Sequence, residues 1–220
     1  YEIAQCLVGS EMCIRDSLYT NSDLVYNDDG YIEVDKNGNV AVKDDYMDDI
    51  YLGSVFPKYN LAWRNDFNYK GINLGVLFTA RIGGICYSAT QANMDLYGVS
   101  EASAAARDAG GVMINGRDMI DAQKWYQVIG SQSGLPQYYT YSATNVRLQE
   151  LSLGYTLPSK WFRDKMRMTV SFVGRNLWMI YCKAPFDPEA VASTGMNYQG
   201  IDYFMMPSMR NLGFNVKFQF

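Results

Sequence analysis

Asp187 and Glu189 flank Pro188 in the run Phe186-Asp187-Pro188-Glu189, which sets two carboxylates within reach of one another. Paired carboxylates are the working groups of glycoside hydrolysis, one as general acid and the other as base or nucleophile. Here nothing completes such a site. The run lies in a polar, solvated loop, and the chain offers no nucleophile–base constellation and no phosphate-cradling glycine loop. Histidine is absent, which removes His-based metal sites and His-based triads. No catalytic residue, metal ligand or cofactor is therefore assigned, and an enzyme is not expected.

Asp35-Lys36-Asn37-Gly38-Asn39 looks like an Asp/Asn-rich calcium loop, but its glycine comes one step after Asn37, not at the sixth position an EF-hand needs. Its Asn-Gly lies between Tyr31-Ile32-Glu33-Val34 and Val40-Ala41-Val42, so it reads first as a hairpin turn. Calcium near Asp35 stays open. Cys86 and Cys182 are expected on strands separated by a third, roughly 10 Å apart at about 4.8 Å per strand step. That exceeds disulfide reach.

Aromatic residues are the other candidates. Trp125, Tyr126, Tyr138 and Tyr139 fall in a long segment between strands. Exposed there, they could stack on sugar rings or contact a partner protein; the competing reading is that the segment packs on itself. Phe218 and Phe220 close an amphipathic strand, which suits recognition by barrel-insertion machinery, with interfacial anchoring as the alternative.

The elements that must position these residues are mostly strands. From Met209 to Phe220 the chain alternates: Leu212, Phe214, Val216, Phe218 and Phe220 share one face, and Asn211, Gly213, Asn215, Lys217 and Gln219 the other. Tyr59 to Tyr69 alternates likewise, turns at Lys70-Gly71, and continues as Ile72 to Ile82, which predicts an antiparallel hairpin. Asn145 to Leu157 alternates with one slip at Gln149-Glu150, which predicts a β-bulge. Met166 to Val173 forms another strand, followed by a polar loop over 178–208. Residues 83–144 form a long insertion with two helical pieces, Ser100 to Arg107 and Asp118 to Ile129. Residues 18–58 are acidic and irregular. The run Cys6-Leu7-Val8-Gly9-Ser10-Glu11-Met12-Cys13-Ile14-Arg15-Asp16-Ser17 matches a translated sequencing-library adapter. Residues 1–17 are therefore expected to be non-native, with the true N-terminus out of view. A secretory or lipoprotein signal is disfavoured, because the apolar stretch is short and lacks a basic leader.

A β-sandwich and a membrane barrel both alternate. Three features favour the barrel. The strands run to about ten residues, enough at roughly 45° tilt to cover an apolar band of ~25 Å, whereas sandwich strands more often have about five or six. Connections are short at one end (Lys70-Gly71 and 158–165) and long at the other (83–144 and 178–208), as barrels require. Aromatics gather at the strand ends: Trp161, Phe162 and Phe220 at one, and Tyr87, Tyr141, Trp178 and Tyr181 at the other. Arg64, Asp66, Arg81, Arg147, Arg167 and Lys217 all fall on the polar faces, where they are expected to stay hydrated. Composition agrees. The chain has 18 Tyr and 10 Phe, a net charge of −4 and no basic block, so nucleic acid is not an expected partner. No apolar run approaches the roughly 18 residues of a membrane helix.

The run from Tyr139 to Pro158, with Val146-Arg147-Leu148-Gln149-Glu150-Leu151-Ser152-Leu153-Gly154-Tyr155 at its centre, resembles a motif of the SusC/RagA-type TonB-linked outer-membrane transporters. Val173-Gly174-Arg175-Asn176-Leu177 resembles that family's G-R-N-L strand end, and Phe186-Asp187-Pro188-Glu189 its D-P-E loop. Gly53, Pro57 and Tyr59 resemble its lead into a strand. Gly200 to Phe220, through Asp202, Pro207 and Arg210, is similar to its closing strand. The likeness covers roughly residues 25–220.

What the resemblance implies is an all-β fold: about five or six antiparallel transmembrane strands, the C-terminal part (18–220) of a larger barrel, with long external loops carrying short helices. It further implies the outer membrane of a Gram-negative bacterium and import of glycan or peptide fragments. The implied partners are the remaining barrel and plug, a SusD-type surface lipoprotein as lid, TonB, the barrel-insertion machinery and outer-membrane lipid. The loop aromatics Trp125, Tyr126, Tyr138 and Tyr139 become candidate ligand or lid contacts. The plug and the TonB-binding box are not in this chain. The competing reading is a soluble or surface-exposed β-sheet binding module with no transport role.

Overall fold

A computed structural model describes residues 17–44, 50–131, 134–162, 166–192 and 199–219. The readings made for residues 1–16 and for Phe220 lie outside the described residues. In chain order the strands are β1 (Ser17–Thr20), β2 (Ser22–Leu24), β3 (Val42–Asp44), β4 (Ile50–Ser54), β5 (Tyr59–Tyr69), β6 (Ile72–Ile82) and β7 (Ile85–Ser88). Helices α1 (Ala89–Leu96) and α2 (Glu101–Asp108) follow, then β8 (Val112–Ile114), β9 (Asp118–Ile120) and α3 (Ala122–Gly130). The remainder is β10 (Thr140–Ser142), β11 (Asn145–Thr156), β12 (Arg167–Cys182), β13 (Ile201–Asp202) and β14 (Asn211–Gln219).

The chain divides into two units, and residues 57–84, 142–190 and 206–220 make one of them. It holds a five-stranded antiparallel sheet in the order β14-β12-β11-β6-β5. β5 and β6 span the predicted ranges, and Tyr69 pairs with Ile72 across the Lys70-Gly71 turn. Both turn residues have positive φ, 49° and 87°. That is the mirror-image turn whose twist matches paired strands, and glycine takes it without strain. The predicted bulge is present: the β11 register shifts between Leu148 and Glu150 against both neighbours. β12 is longer than the sequence suggested, at 16 residues. Its upper half, read as loop from 178 onward, continues as strand to Cys182, because Asn145–Leu148 offer it a ladder there.

The other unit comprises residues up to 56, 85–141 and 191–205. Its core gathers Leu24, Val40, Ala92, Ile114, Ile120, Trp125, Ile129, Leu135 and Tyr139. Ala122, Trp125 and Ile129 fall on one face of α3, at helical spacing, and all are buried. Ser100 caps α2 as predicted, its hydroxyl accepting from the Ser103 N–H at 3.0 Å. The second predicted helix starts later than expected. Asp118–Ile120 pairs with Val112–Ile114 as a hairpin, and Asp121 caps α3. α1 was not foreseen; Ser88 caps it.

The Asn37-Gly38 segment is the turn the sequence predicts, with Gly38 at φ 75° and Asp35 N–H donating to the Asn39 carbonyl at 2.8 Å. The Lys124 ammonium donates to the Asn37 carbonyl at 2.6 Å, so a lysine supplies positive charge at this loop. Among the described residues no group of three or more His, Cys, Asp or Glu is placed to hold a metal ion. Cys86 and Cys182 are not bonded to each other; Cys86 lies on β7, in a different sheet from β12, which carries Cys182.

Candidate functional site

Register sorts the five-stranded sheet into two chemically distinct faces, because directly opposed residues on antiparallel strands point the same way. One face carries Leu61, Trp63 and Phe67 beside Ala80, Phe78 and Leu74, continuing through Leu148, Leu151 and Leu153 to Phe172, Phe214 and Phe218. Trp63 and Phe78 stack with ring centroids 5.6 Å apart. This face is open: Trp63 is 61% exposed and Phe214 76%. Leu74 and Val170 are half-buried by their neighbours on the sheet. In the described residues of this unit no second sheet is stacked on it. A sandwich would seal these side chains; among the described residues of this unit nothing does.

The opposite face is polar. Asn60, Arg64, Asp66 and Asn68 on β5 lead to Asn73, Thr79 and Arg81, then Glu150, Ser152, Thr156, Thr169, Ser171, Arg175, Asn215 and Lys217. Arg64 and Asp66 pair at 2.9 Å, and Arg175 and Glu150 at 3.0 Å across β12 and β11. The Arg64–Asp66 pair is exposed on both sides and Arg175 is exposed above a half-buried Glu150, so solvent screens both pairs.

Arg147 on this face is different. The expectation of a hydrated arginine fails there: its side chain is 2% exposed. The loop after β12 folds over it and brings both carboxylates of the Asp-Pro-Glu run onto one guanidinium. Asp187 lies 2.9 Å and Glu189 3.4 Å from Nη2. Arg147 also donates to Asn145, Asn176 and the Ser208 hydroxyl at 3.3, 3.5 and 3.4 Å. The Ser208 hydroxyl and N–H both donate to Asp187 Oδ2, and Asn176 donates to the Ser208 carbonyl at 2.9 Å. The two acids that look like a catalytic pair are thus a cradle for an arginine.

Burial raises the Asp187 pKa, but hydrogen bonds from Ser208, Arg147 and the Glu189 N–H, with the Arg147 charge, outweigh it and hold the carboxyl below its usual range. A depressed carboxylate pKa adds stability above its unfolded value, about 3.9, and loses it as pH falls through the folded value. The urea midpoint of the intact protein should therefore show no Asp187 titration between pH 7.5 and 5, and fall only below about pH 4. An Asp187-dependent drop above pH 5, absent in Asp187→Asn, would contradict this arrangement.

The other predicted site residues divide. Trp125 and Tyr139 are corrected: they are 8% and 2% exposed and belong to the loop core, since their positions face inward from α3 and the turn after Leu135. Burial first, then the Asp95 charge, pushes the Tyr139 phenol far above its ordinary pKa. Tyr126 is half-buried, and Tyr138 is 41% exposed, its ring edge-on to Trp125 at 5.9 Å. Tyr87 and Tyr141, expected in an aromatic belt, also turn inward. Tyr87 packs on the loop core, and Tyr141 donates to Gln91 at 2.7 Å. Trp178 and Tyr181 stay exposed at the strand ends, as does Phe218 on the open apolar face. Arg147, Asn176 and Ser208 were missed as a group, because Arg147 lies 29 residues from Asn176 and 61 from Ser208 in sequence.

No protein-family model matches the chain. TonB-dependent receptor P3 of Formosa agariphila is 25% identical over 198 residues, covering 86% of this chain and 19% of that protein. Among solved structures, the RagAB peptide importer in the closed-closed state aligns with a TM-score of 0.56 at 18% identity, covering 92% of this chain and 22% of that one. In the open-open state the values are 0.57 and 17%, with the same coverage. The chain spans about a fifth of the length of these relatives. In sequence this chain is similar to a TonB-dependent receptor, and in fold it is an all-β, antiparallel segment similar to part of the RagAB importer structures.

Proposed function

We propose that this chain is a stretch of barrel wall, the C-terminal part by its motifs, from a TonB-dependent importer in the outer membrane of a Gram-negative bacterium. The two-faced sheet carries this reading. An open apolar face meets lipid without cost, while the polar face borders an aqueous lumen. Five strands cannot close on themselves, and unpaired edge groups in hydrocarbon cost several kcal/mol each. The segment therefore works with the rest of the barrel and its plug. The cargo is a peptide or an oligosaccharide, delivered with a SusD-type surface lipoprotein and powered through TonB. Tyr126 and Tyr138 are the loop aromatics left to touch ligand or lid.

The test is uptake of labelled peptides and labelled oligosaccharides by cells lacking the gene, complemented with the complete protein or with its Tyr126→Ala/Tyr138→Ala form. Restored uptake of one cargo class names the substrate. No uptake of either, with residues 18–220 stable in water without detergent, would instead favour a soluble binding module. Phe218 and Phe220 are proposed as the aromatic signal read by the insertion machinery. Their joint replacement by alanine should lower the yield of heat-modifiable barrel, and an unchanged yield would remove that role.

A further inference from the structure

Strand β14 meets only β12 among the described strands, and its own sequence does not choose one alignment. Leu212, Phe214, Val216 and Phe218 repeat on one face, with Gly213, Asn215 and Lys217 on the other. A slip of one residue would turn the apolar set to the polar side and is forbidden by patterning. A slip of two residues keeps every side chain on its proper face. It exchanges only which residues oppose each other, such as Asn215 for Lys217 opposite Thr169.

Something outside the ladder must decide between these alignments. Ser208 lies three residues before β14, and all of its polar groups are engaged. Its hydroxyl and N–H donate to Asp187, its hydroxyl accepts from Arg147, and its carbonyl accepts from Asn176. Asn176 reaches it from the irregular stretch of β12 where φ is 52°. Those contacts come from β11, β12 and the loop after β12. A two-residue slip moves Ser208 by about 7 Å, more than twice a hydrogen-bond length, so all four contacts would be lost together. We propose that the Arg147–Asp187–Asn176–Ser208 network is a register latch that admits β14 to the wall in one alignment. Ser208 and Asn176 act as positioning residues. The latch checks β14 against β11, two strands away, as well as against β12. Its consequence for barrel assembly rests on the membrane-wall reading above; the alignment itself does not.

The experiment uses the complete transporter with Cys86 and Cys182 replaced by serine. Thr169→Cys is combined in turn with Lys217→Cys, Asn215→Cys or Gln219→Cys, and disulfide yield is read after mild oxidation. With the latch intact, only the 169–217 pair should crosslink. Adding Ser208→Ala or Asn176→Gly, which leaves the Arg147–Asp187 pair in place, should raise a slipped crosslink, 169–215 or 169–219, from background to a yield comparable with 169–217. Ser208→Thr, which retains the hydroxyl, should restore the single pattern. Crosslinking at 169–217 alone in both latch variants would overturn the proposal. Should those variants not reach the membrane, the same reading is taken on protein refolded from urea into detergent, with the same two outcomes. Failure of the membrane-wall reading looks different: the unmodified transporter would be recovered water-soluble without detergent, whatever its crosslinks.

Discussion

Replacing Arg147 by alanine is expected to destabilise the five-stranded sheet by about 3–5 kcal/mol, because it strands a buried carboxylate without its counter-charge. Asp187 has a side chain only 8% exposed. After the substitution it would keep its hydrogen bonds from Ser208 and the Glu189 N–H, but no cation. Glu189, 40% exposed, can turn to water and suffers less. Lysine at 147 should rescue only in part, since one ammonium cannot reach Asn145, Asn176, Asp187 and Ser208 from a single position as a planar guanidinium does. Removing both charges, Arg147→Met with Asp187→Leu, should cost less than Arg147→Ala alone, since a buried pair replaced by apolar groups is often near neutral. Urea midpoints of the complete protein in detergent would measure all three. A loss under about 1 kcal/mol for Arg147→Ala, the range of an exposed pair, would mean the network is not closed in solution.

Arginine at position 172 should cost about 2–4 kcal/mol, while arginine at position 171 should cost far less. Phe172 opposes Leu153 and Phe214 on the open apolar face, near the middle of the Arg167–Arg175 ladder. A charge there would sit in hydrocarbon if that face meets lipid. Ser171 is the next residue but faces the polar side, opposite Gly154 and Asn215, where water can solvate a guanidinium. The contrast between neighbours removes strand propensity and expression level as explanations. It also separates the two functional classes. A sheet in water would tolerate Phe172→Arg, since the phenylalanine is already exposed. Folding of Phe172→Arg and Ser171→Arg into vesicles, compared by urea titration, gives the difference; equal stability would sink the membrane reading.

Much of the five-stranded sheet could be read from residues alone. Tyr59–Tyr69 and Ile72–Ile82 keep a period of two, interrupted at Asn65 and Leu77, and share a Lys-Gly turn, so their limits match. The phase slip at Gln149-Glu150 is likewise visible wherever a strand carries one residue too many for its pattern. The misreadings have different causes. Ala89–Leu96 is polar, with Thr, Gln and Asn, and forms as a helix because Ser88 caps it and its buried side packs against α3. Asp118–Ile120 is too short for any period to show, and pairing with Val112–Ile114 decides it. Trp125 and Tyr139 carry the composition of contact residues, but their direction follows from how α3 and the turn after Leu135 meet the loop core.

Alternation by itself determined that this chain makes two-faced antiparallel strands, and which residues share each face. Side-chain direction along a strand depends only on the strand's own geometry. Tertiary structure alone decided which polar residues on the wet face are buried, Asn145 and Arg147 among them. Arg64 and Arg147 look equivalent in sequence, but only Arg147 lies where a loop some 40 residues on folds back with Asp187 and Glu189. Local pattern carries no information about that closure, because the free energy of the contact appears only after the intervening strand has paired and its loop has been ordered.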